Sequence, residues 1–468
     1  MENVITSMSA TALRDAQRQG KLSVLEITEA CLDRIEAVNP LINAIISMRS
    51  RADIMAEAED MQNTGGCGPL YGLPIAIKDL RETKGITTTY GSPIHKDNIP
   101  AKDCLLVARL KAAGALIIGK TNTPEFGLGS HSYNPVHGVT VNPYDFTRSA
   151  GGSSGGVGAA LAAGMLPIAD GSDMMGSLRN PAGWNNVYGF RPSYGLVPDD
   201  PAGDSFLHQL STSGPMARTV KDLELMLQVI GVPDARLPHA TNPFTGMGDQ
   251  PIKGQKIGWI GDWNGYYPIE DGVLELCTNG LDTLSDLGCD IRPVTPPFAP
   301  EDIWHAWITL RSFTTASSYV KLFENPATRD LLKPEMLWEI ECGLALSARD
   351  VHEASLISSQ WFRTVAMMDV DMLALPTAQM FPFDAKLHWP KQVAGRKMDT
   401  YHRWMEVVIP ASLIGLPALS VPVGFGAEGL PMGLQLIGKR GQDAQVLRLG
   451  HAYHKATQYP QKHPPVVA

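Results

Sequence analysis

Apolar and polar positions follow two different rhythms along this 468-residue chain. Near the N-terminus the rhythm is helical. Ser23 followed by Glu26 forms a capping box, and Ile27, Cys31 and Ile35 then recur about one turn apart. Arg51 to Met61, rich in Ala, Glu and Met, predicts a second helix. Both stretches are polar on one side, so the first 60 or so residues are expected to pack on the outside of a larger body. From Leu73 the texture changes. The runs LPIAI (73–77) and ALIIG (115–119) read as strands separated by the helical LLVARLKAAG, and KIGWI (256–260), a helix-like segment near Gly272 to Leu287 and CDIRPV (289–294) make one βαβ unit. MLALP (372–376), LSVPV (419–423) and LQLIG (434–438) close the chain as strands. Strands alternating with helices predict an α/β fold with parallel strand pairs. Leu196 to Gly254, with many Pro, Gly and Asp residues, reads as a long irregular excursion over the surface. The aromatics between Pro300 and Arg363 (Trp304, Trp307, Phe313, Trp338, Trp361) are expected mostly in the core.

Composition supports a large buried core: hydrophobic residues make up 44% and charged residues 19%. The net charge of −9 offers no basic field to collect phosphates, so nucleic acid is not an expected partner. Six cysteines (31, 67, 104, 277, 289, 342) contain no C-x-x-C pair, which points to reduced thiols and a cytoplasmic location rather than a disulfide framework or a zinc site. The N-terminus lacks a basic stretch followed by a continuous apolar one, and no run of 18 apolar residues occurs, so neither export nor a membrane span is expected. His131 with His137, and His451 with His454, match no common metal pattern and read as solvated faces.

The candidate chemistry concentrates in three segments. SAGGSSGGVGAALAAG (149–164) brackets Ser153 and Ser154 with glycines ahead of a helical run, so the loop opens a helix. Three readings compete there: a phosphate cradle, which lacks the Gly-Lys-Ser/Thr ending of a P-loop; a G-x-S-x-G nucleophile elbow with a downstream histidine as base; and a tight turn in which serine satisfies backbone groups. ADGSDMMGSLRNPAGW (169–184) then presents Ser177 between Gly176 and Arg179. Ser177 lies 24 residues beyond Ser153, with a helix between that lets the two serines face each other. YGLPIAIKDLRETKGITTTYGS (71–92) ends an apolar strand with Lys78, a position that is ordinarily a solvated strand end.

Taken together, these segments resemble the amidase signature family of serine amide hydrolases. The likeness runs over nearly the whole chain, from GKLSVLEITEACLDRIEAVNPLINAI and GLPIAIKD through GKTNTPEFGLGS (119–130) and FRPSYGLVP (190–198) to IGLPALSVPVGF and GLPMGLQLIGKRGQD. The resemblance implies a single large α/β domain over residues 1–468, a mixed sheet covered by helices on both faces, with residues 1–60 packed on a core whose catalytic residues lie within 70–200. It implies hydrolysis of a C–N bond through an acyl-enzyme, with Ser177 as nucleophile, Ser153 in a cis peptide as the bridging serine and Lys78 as base. The backbone N–H groups of Met174, Met175, Gly176 and Ser177 match the family's oxyanion hole, and Ser154, Asp173 and Arg179 match supporting positions. No metal and no organic cofactor is implied. The partner is then a small-molecule amide, carbamate or related ester, and the family includes both monomers and dimers.

The residue types suit this chemistry. A serine hydroxyl needs a base, a second hydroxyl relays a proton because it donates and accepts, and a lysine serves only when its pKa falls far below 10.4 or so, as desolvation among Ile75 and Ile77 would achieve. The chain departs from the family at DMMGS, where D-x-G-G-S is usual: Met175 replaces a glycine, which is expected to narrow the turn and set a thioether beside the acyl group. Ser172 stands where the family more often has Thr. Two alternatives remain open: the glutaminase component of a tRNA-dependent amidotransferase, and a binding protein that kept the fold and lost the chemistry.

Overall fold

The computed structural model describes residues 2–207 and 209–467; Met1 and Ala468, the ends of the expected domain, and His208 lie outside them. Local capping starts the N-terminal helices. Ser9 caps Ala10–Arg18, Ser23 and Glu26 form the expected box at Val24–Ile42, and Ser50 caps Arg51–Thr64. Ile27, Cys31 and Ile35 all face inward. The Asp222 carboxylate, far along the chain, accepts the amides of Ala10 and Thr11 at 3.1 and 2.8 Å, which fastens the first helices to the body.

That body is a mixed sheet of eight strands flanked by helices. Its order is Asp290–Pro293, Lys256–Trp259, Met372–Pro376, Pro431–Gly438, Ala418–Phe425, Tyr188–Arg191, Thr212–Ala217 and Ile168–Asp173. Lys256–Trp259 is parallel to both of its neighbours, as its βαβ pattern requires, whereas the other pairs are antiparallel. A smaller sheet pairs Pro74–Lys78 in parallel with Leu116–Thr121, which also carries Ile45–Ile46 antiparallel. The small sheet meets the large one where Pro74–Lys78 runs beside Ile168–Asp173, and there a side chain bridges the gap: the Lys78 amide donates to Asp170 Oδ1 at 3.1 Å.

The aromatic expectation holds in the main. Trp307 and Trp361 are fully enclosed and Trp304 nearly so, while Phe313 and Trp338 are half-buried. The expectation of irregular chain over Leu196 to Gly254 is corrected in its middle, where Thr212–Ala217 is an interior strand and Val220–Ile230 a helix capped by Thr219. Gly214 and Pro215 hide that strand from a propensity reading. Gly214 is there because a Cβ would lie 2.2 Å from the Phe190 carbonyl oxygen. Pro215 pairs only with Asp170 on one side, beyond the end of its ladder with Tyr188–Arg191, so its missing N–H costs nothing on the other. His131, read as solvated, is instead buried, held by Ser149 Oγ at 2.7 Å and the Ala385 carbonyl at 3.0 Å.

Candidate active site

The two sheets end together, and their ends carry the candidate residues. Lys78 closes its strand with the side chain fully enclosed. Its Nζ donates to Ser153 Oγ at 2.8 Å, Ser154 Oγ at 2.9 Å and Ser172 Oγ at 3.0 Å. An amine among three hydroxyls has acceptors for its protons but no carboxylate in contact. Burial therefore dominates and, helped by Arg81 against the opposing charges of Asp170 and Asp173, brings the Lys78 ammonium down to about 7 from 10.5.

The glycine-rich segment is built for close approach. The Gly152–Ser153 peptide is cis. A Cβ on Gly152 would stand 2.9 Å from the His131 amide nitrogen, and one on Gly156 would stand 2.5 Å from that of Asn122. The helix Gly155–Ala162 does follow, but its opening amides already have protein acceptors: Ser154 N–H donates to the Ser177 carbonyl at 3.3 Å, Gly155 N–H to Ser132 Oγ at 3.0 Å and Gly156 N–H to the Asn122 carbonyl at 3.2 Å. Occupied donors cannot cradle a phosphate, which removes that reading. The first of these bonds ties the two serine segments together.

Ser177 sits in the turn between the strand Ile168–Asp173 and the helix Arg179–Trp184. Asp173 organises that turn. Its carboxylate takes a two-pronged grip from Arg179, Nε and Nη2 each at 3.0 Å, and a further bond from Arg191 Nη1 at 3.0 Å. It also accepts the amides of Gly176 at 2.9 Å and Leu178 at 3.2 Å. Burial would raise this carboxyl, yet Arg179 and Arg191 hold it well below the usual carboxylate range. Arg179 in turn reaches the Val408 carbonyl, Gln435 Oε1 and Ser412 Oγ, so the turn is anchored to a C-terminal strand and to the short helical segment before it. Only Gly176 in the DMMGS turn has a left-handed φ, +77°, and its Cβ would meet Val408 at 2.8 Å. Met175 has no such φ, which is why this chain tolerates a side chain there.

Among the four amides implied as oxyanion donors, that of Gly176 is thus directed at Asp173. Those of Met174, Met175 and Ser177 make no backbone hydrogen bond among the described residues. Ser177 Oγ likewise has no hydrogen-bond partner among them and opens into a cavity of about 260 Å³ that Ser153, Ser172, Met174 and Met175 also line. No histidine among the described residues lines that cavity, and burial pushes the His131 imidazole down to about 4 while its nitrogens are engaged elsewhere. The elbow with a histidine base therefore finds no base among the described residues.

Two arginines border the same cavity that the sequence does not single out. Arg81 pairs with Asp199 and Ser213, and Arg311 with Glu339 and Tyr401. Neither carries a local signal, since each is one charged residue in a segment with several polar neighbours. A second cavity of about 350 Å³ continues from the first, sharing Met174, Asp199, Ser211 and Thr314 and extending over parts of Tyr194 to Ser205, Leu210 to Ser213 and Leu237 to Ala240.

The amidase family model matches residues 26–447, which includes every element of this site. The chain belongs to the amidase family. Its sequence is 33% identical over 469 residues to an acylamidase of Rhodococcus erythropolis, covering 98% of this chain and 97% of that one. It is 34% identical over 495 residues to one component of the glutamyl-tRNA(Gln) amidotransferase of Chloroflexus aurantiacus, with coverage of 98% and 99%. Among solved structures, that of a bacterial aryl acylamidase of the amidase signature family superposes with a TM-score of 0.90 at 26% identity and 98% coverage of both chains. That of 6-aminohexanoate cyclic dimer hydrolase with its substrate superposes with a TM-score of 0.87 at 25% identity, covering 99% of this chain and all of the other. This amidase is accordingly an amide-hydrolysing enzyme. No helix among its described residues is long and apolar enough to cross a membrane.

Proposed function

We propose that this amidase cleaves the C–N bond of a small-molecule carboxylic amide, with carbamates and related esters as chemical neighbours, through an acyl-enzyme on Ser177. One observation carries the reading: an enclosed lysine amine brought near neutrality bonds Ser153 Oγ at 2.8 Å beside the cavity into which Ser177 opens. Neutral Lys78 takes the Ser153 proton as Ser153 takes that of Ser177, and Ser177 Oγ attacks the acyl carbon. The hydrogen bond between the serines closes as substrate fills the cavity, since such contacts are commonly loose in the empty site. The new oxyanion is met by the amides of Met174, Met175 and Ser177, a contribution worth roughly 3–4 kcal/mol per donor. The relay then reverses, so that Ser153 protonates the leaving nitrogen and Lys78 restores the Ser153 proton. Water repeats the sequence on the acyl-enzyme, releasing the acid.

Asp173, Arg179 and Ser154 hold the turn and the amine in place in this reading. The whole of residues 1–468 acts as one catalytic domain in the cytoplasm, as a monomer or homodimer without nucleic acid, metal or organic cofactor. The acylamidase relative and the aryl acylamidase structure support aryl and acyl amides as the first substrates to try. The test is labelling by a fluorophosphonate followed by peptide mapping. An adduct on Ser177 in the wild type that is lost in Lys78→Ala supports the triad, and an adduct on Ser154 indifferent to Lys78 would sink it. Hydrolysis of anilides by the isolated chain separates this reading from the glutaminase of an amidotransferase, which would require glutamine and partner chains.

A further inference from the structure

Arg311 reaches the cavity from the helix Pro300–Glu324, far in sequence from the triad, and its hydrogen bonds leave one corner unmatched. Nε donates to Glu339 Oε1 at 2.6 Å and Nη2 to Tyr401 Oη at 2.7 Å, while Tyr401 Oη donates to Glu339 Oε1 at 2.9 Å. Ser312 Oγ completes the shell of Glu339 at 2.9 Å. The guanidinium is therefore clamped in one plane. Nη1 has only the Met174 thioether, at 3.2 Å, and no oxygen acceptor among the described residues. A thioether is a weak acceptor, and an arginine carries two N–H bonds on that nitrogen. A guanidinium with only 5% of its residue surface exposed keeps its polar edge poorly satisfied beside the turn that holds Ser177.

Building on the acyl-enzyme reading above, we propose that Arg311 is a specificity-determining residue: Nη1 donates to a second, uncharged oxygen acceptor of the substrate, such as an ether or another carbonyl close to the scissile group. The charge balance selects an uncharged acceptor. Glu339 already pairs with Arg311 and Asp199 with Arg81, so neither arginine that borders the cavity has a charge left over for an entering carboxylate. A plain hydrocarbon at the same place would exclude water from Nη1 and supply no acceptor, which is the arrangement that discriminates most strongly between otherwise similar substrates.

Isosteric anilide pairs that exchange one CH2 for O test this. Butyryl and methoxyacetyl p-nitroanilide place the exchange in the acyl group, and acetanilides of propyl- and ethoxy-substituted anilines place it in the leaving amine. Succinyl p-nitroanilide supplies a carboxylate arm. The readout is the oxygen-over-methylene ratio of kcat/KM in the wild type divided by the same ratio in Arg311→Met, which cancels intrinsic reactivity. Loss of a hydrogen bond to a charged donor corresponds to a quotient of about 10 to 100 in at least one series. Arg311→Lys should recover part of it. Because Arg311→Met alone leaves Glu339 buried without its cation, Arg311→Met with Glu339→Gln is measured alongside, and fluorophosphonate labelling of Ser177 reports a folded, active nucleophile in every variant. A quotient near 1 in both series with labelling intact overturns the proposal, as does a wild-type preference for the succinyl substrate that depends on Arg311. Absence of Ser177 labelling in the wild type would instead defeat the acyl-enzyme reading on which the proposal stands.

Discussion

Acidification is the perturbation that asks most directly whether Lys78 is the base. The amine must be neutral to take a proton, and enclosure among Ser153, Ser154 and Ser172 brings its value to about 7. Half of the enzyme is then competent at pH 7, whereas a lysine left at 10.5 would be neutral in only about 3 molecules per 10,000. Burial thus raises the supply of free base by roughly three orders of magnitude, comparable to what general-base catalysis as a whole contributes. In consequence kcat/KM should rise tenfold per pH unit below about pH 6, reach half its plateau near 7 and flatten above about 8. The assay is anilide hydrolysis between pH 5.5 and 9.5 or so, paired with the second-order rate of fluorophosphonate labelling, which has no leaving amine to protonate. Both curves should share one acidic limb. Asp170→Asn should move that limb to lower pH, because the Asp170 charge favours the protonated amine and Asn keeps an oxygen for the Lys78 amide. A flat labelling profile, or a rate that keeps climbing through pH 9, would refute the assignment of this proton to Lys78.

The same depression has a stability consequence. Between about pH 7 and 10.5 the unfolded chain carries a proton on Lys78 that the folded chain lacks, so the folded state loses stability as pH falls through that window. Lys78→Met should therefore raise thermal stability at pH 7, by on the order of 3–5 kcal/mol at most, and change it little near pH 10.5, as paired melting curves would reveal. Asp173 works in the opposite sense: its carboxyl is held low, so the stability it contributes is present above the ordinary carboxylate value and lost as pH falls below it. Asp173→Asn should lower stability by roughly 3–5 kcal/mol at pH 7, since it strands two enclosed arginines, and a denaturant titration showing no loss would contradict the role given to that carboxylate. Gly176→Ala should abolish Ser177 labelling while Met175→Gly retains it, because only position 176 needs a left-handed backbone and meets Val408.

Much of the fold is legible in the sequence, and the exceptions share a cause. Ser23 with Glu26, the apolar run around Ile75 and the βαβ texture at 256–294 are local signals, decided by neighbours within a turn or a strand. Thr212–Ala217 escapes a local reading because Gly214 and Pro215 answer to Phe190 and to the end of a ladder, neither of which is near in sequence. His131 reads as a surface residue for the same reason: what encloses it comes from Ser149 and Ala385.

The sequence by itself determined most of the elements, the family, and the identity of the serines and lysine on which the proposed chemistry rests, because spacing and motif order are properties of the chain. Tertiary structure alone decided what those groups are able to do. The amine of Lys78 loses its charge near neutrality only when two sheets and the Ser153 loop close over it, since desolvation depends on everything packed around a group. Arg179 finds Gln435, and Arg311 finds Glu339, Tyr401 and the cavity, across separations that no local pattern encodes. Hydrogen-bond partners and dielectric are set by packing, and packing is known only once the chain has returned upon itself.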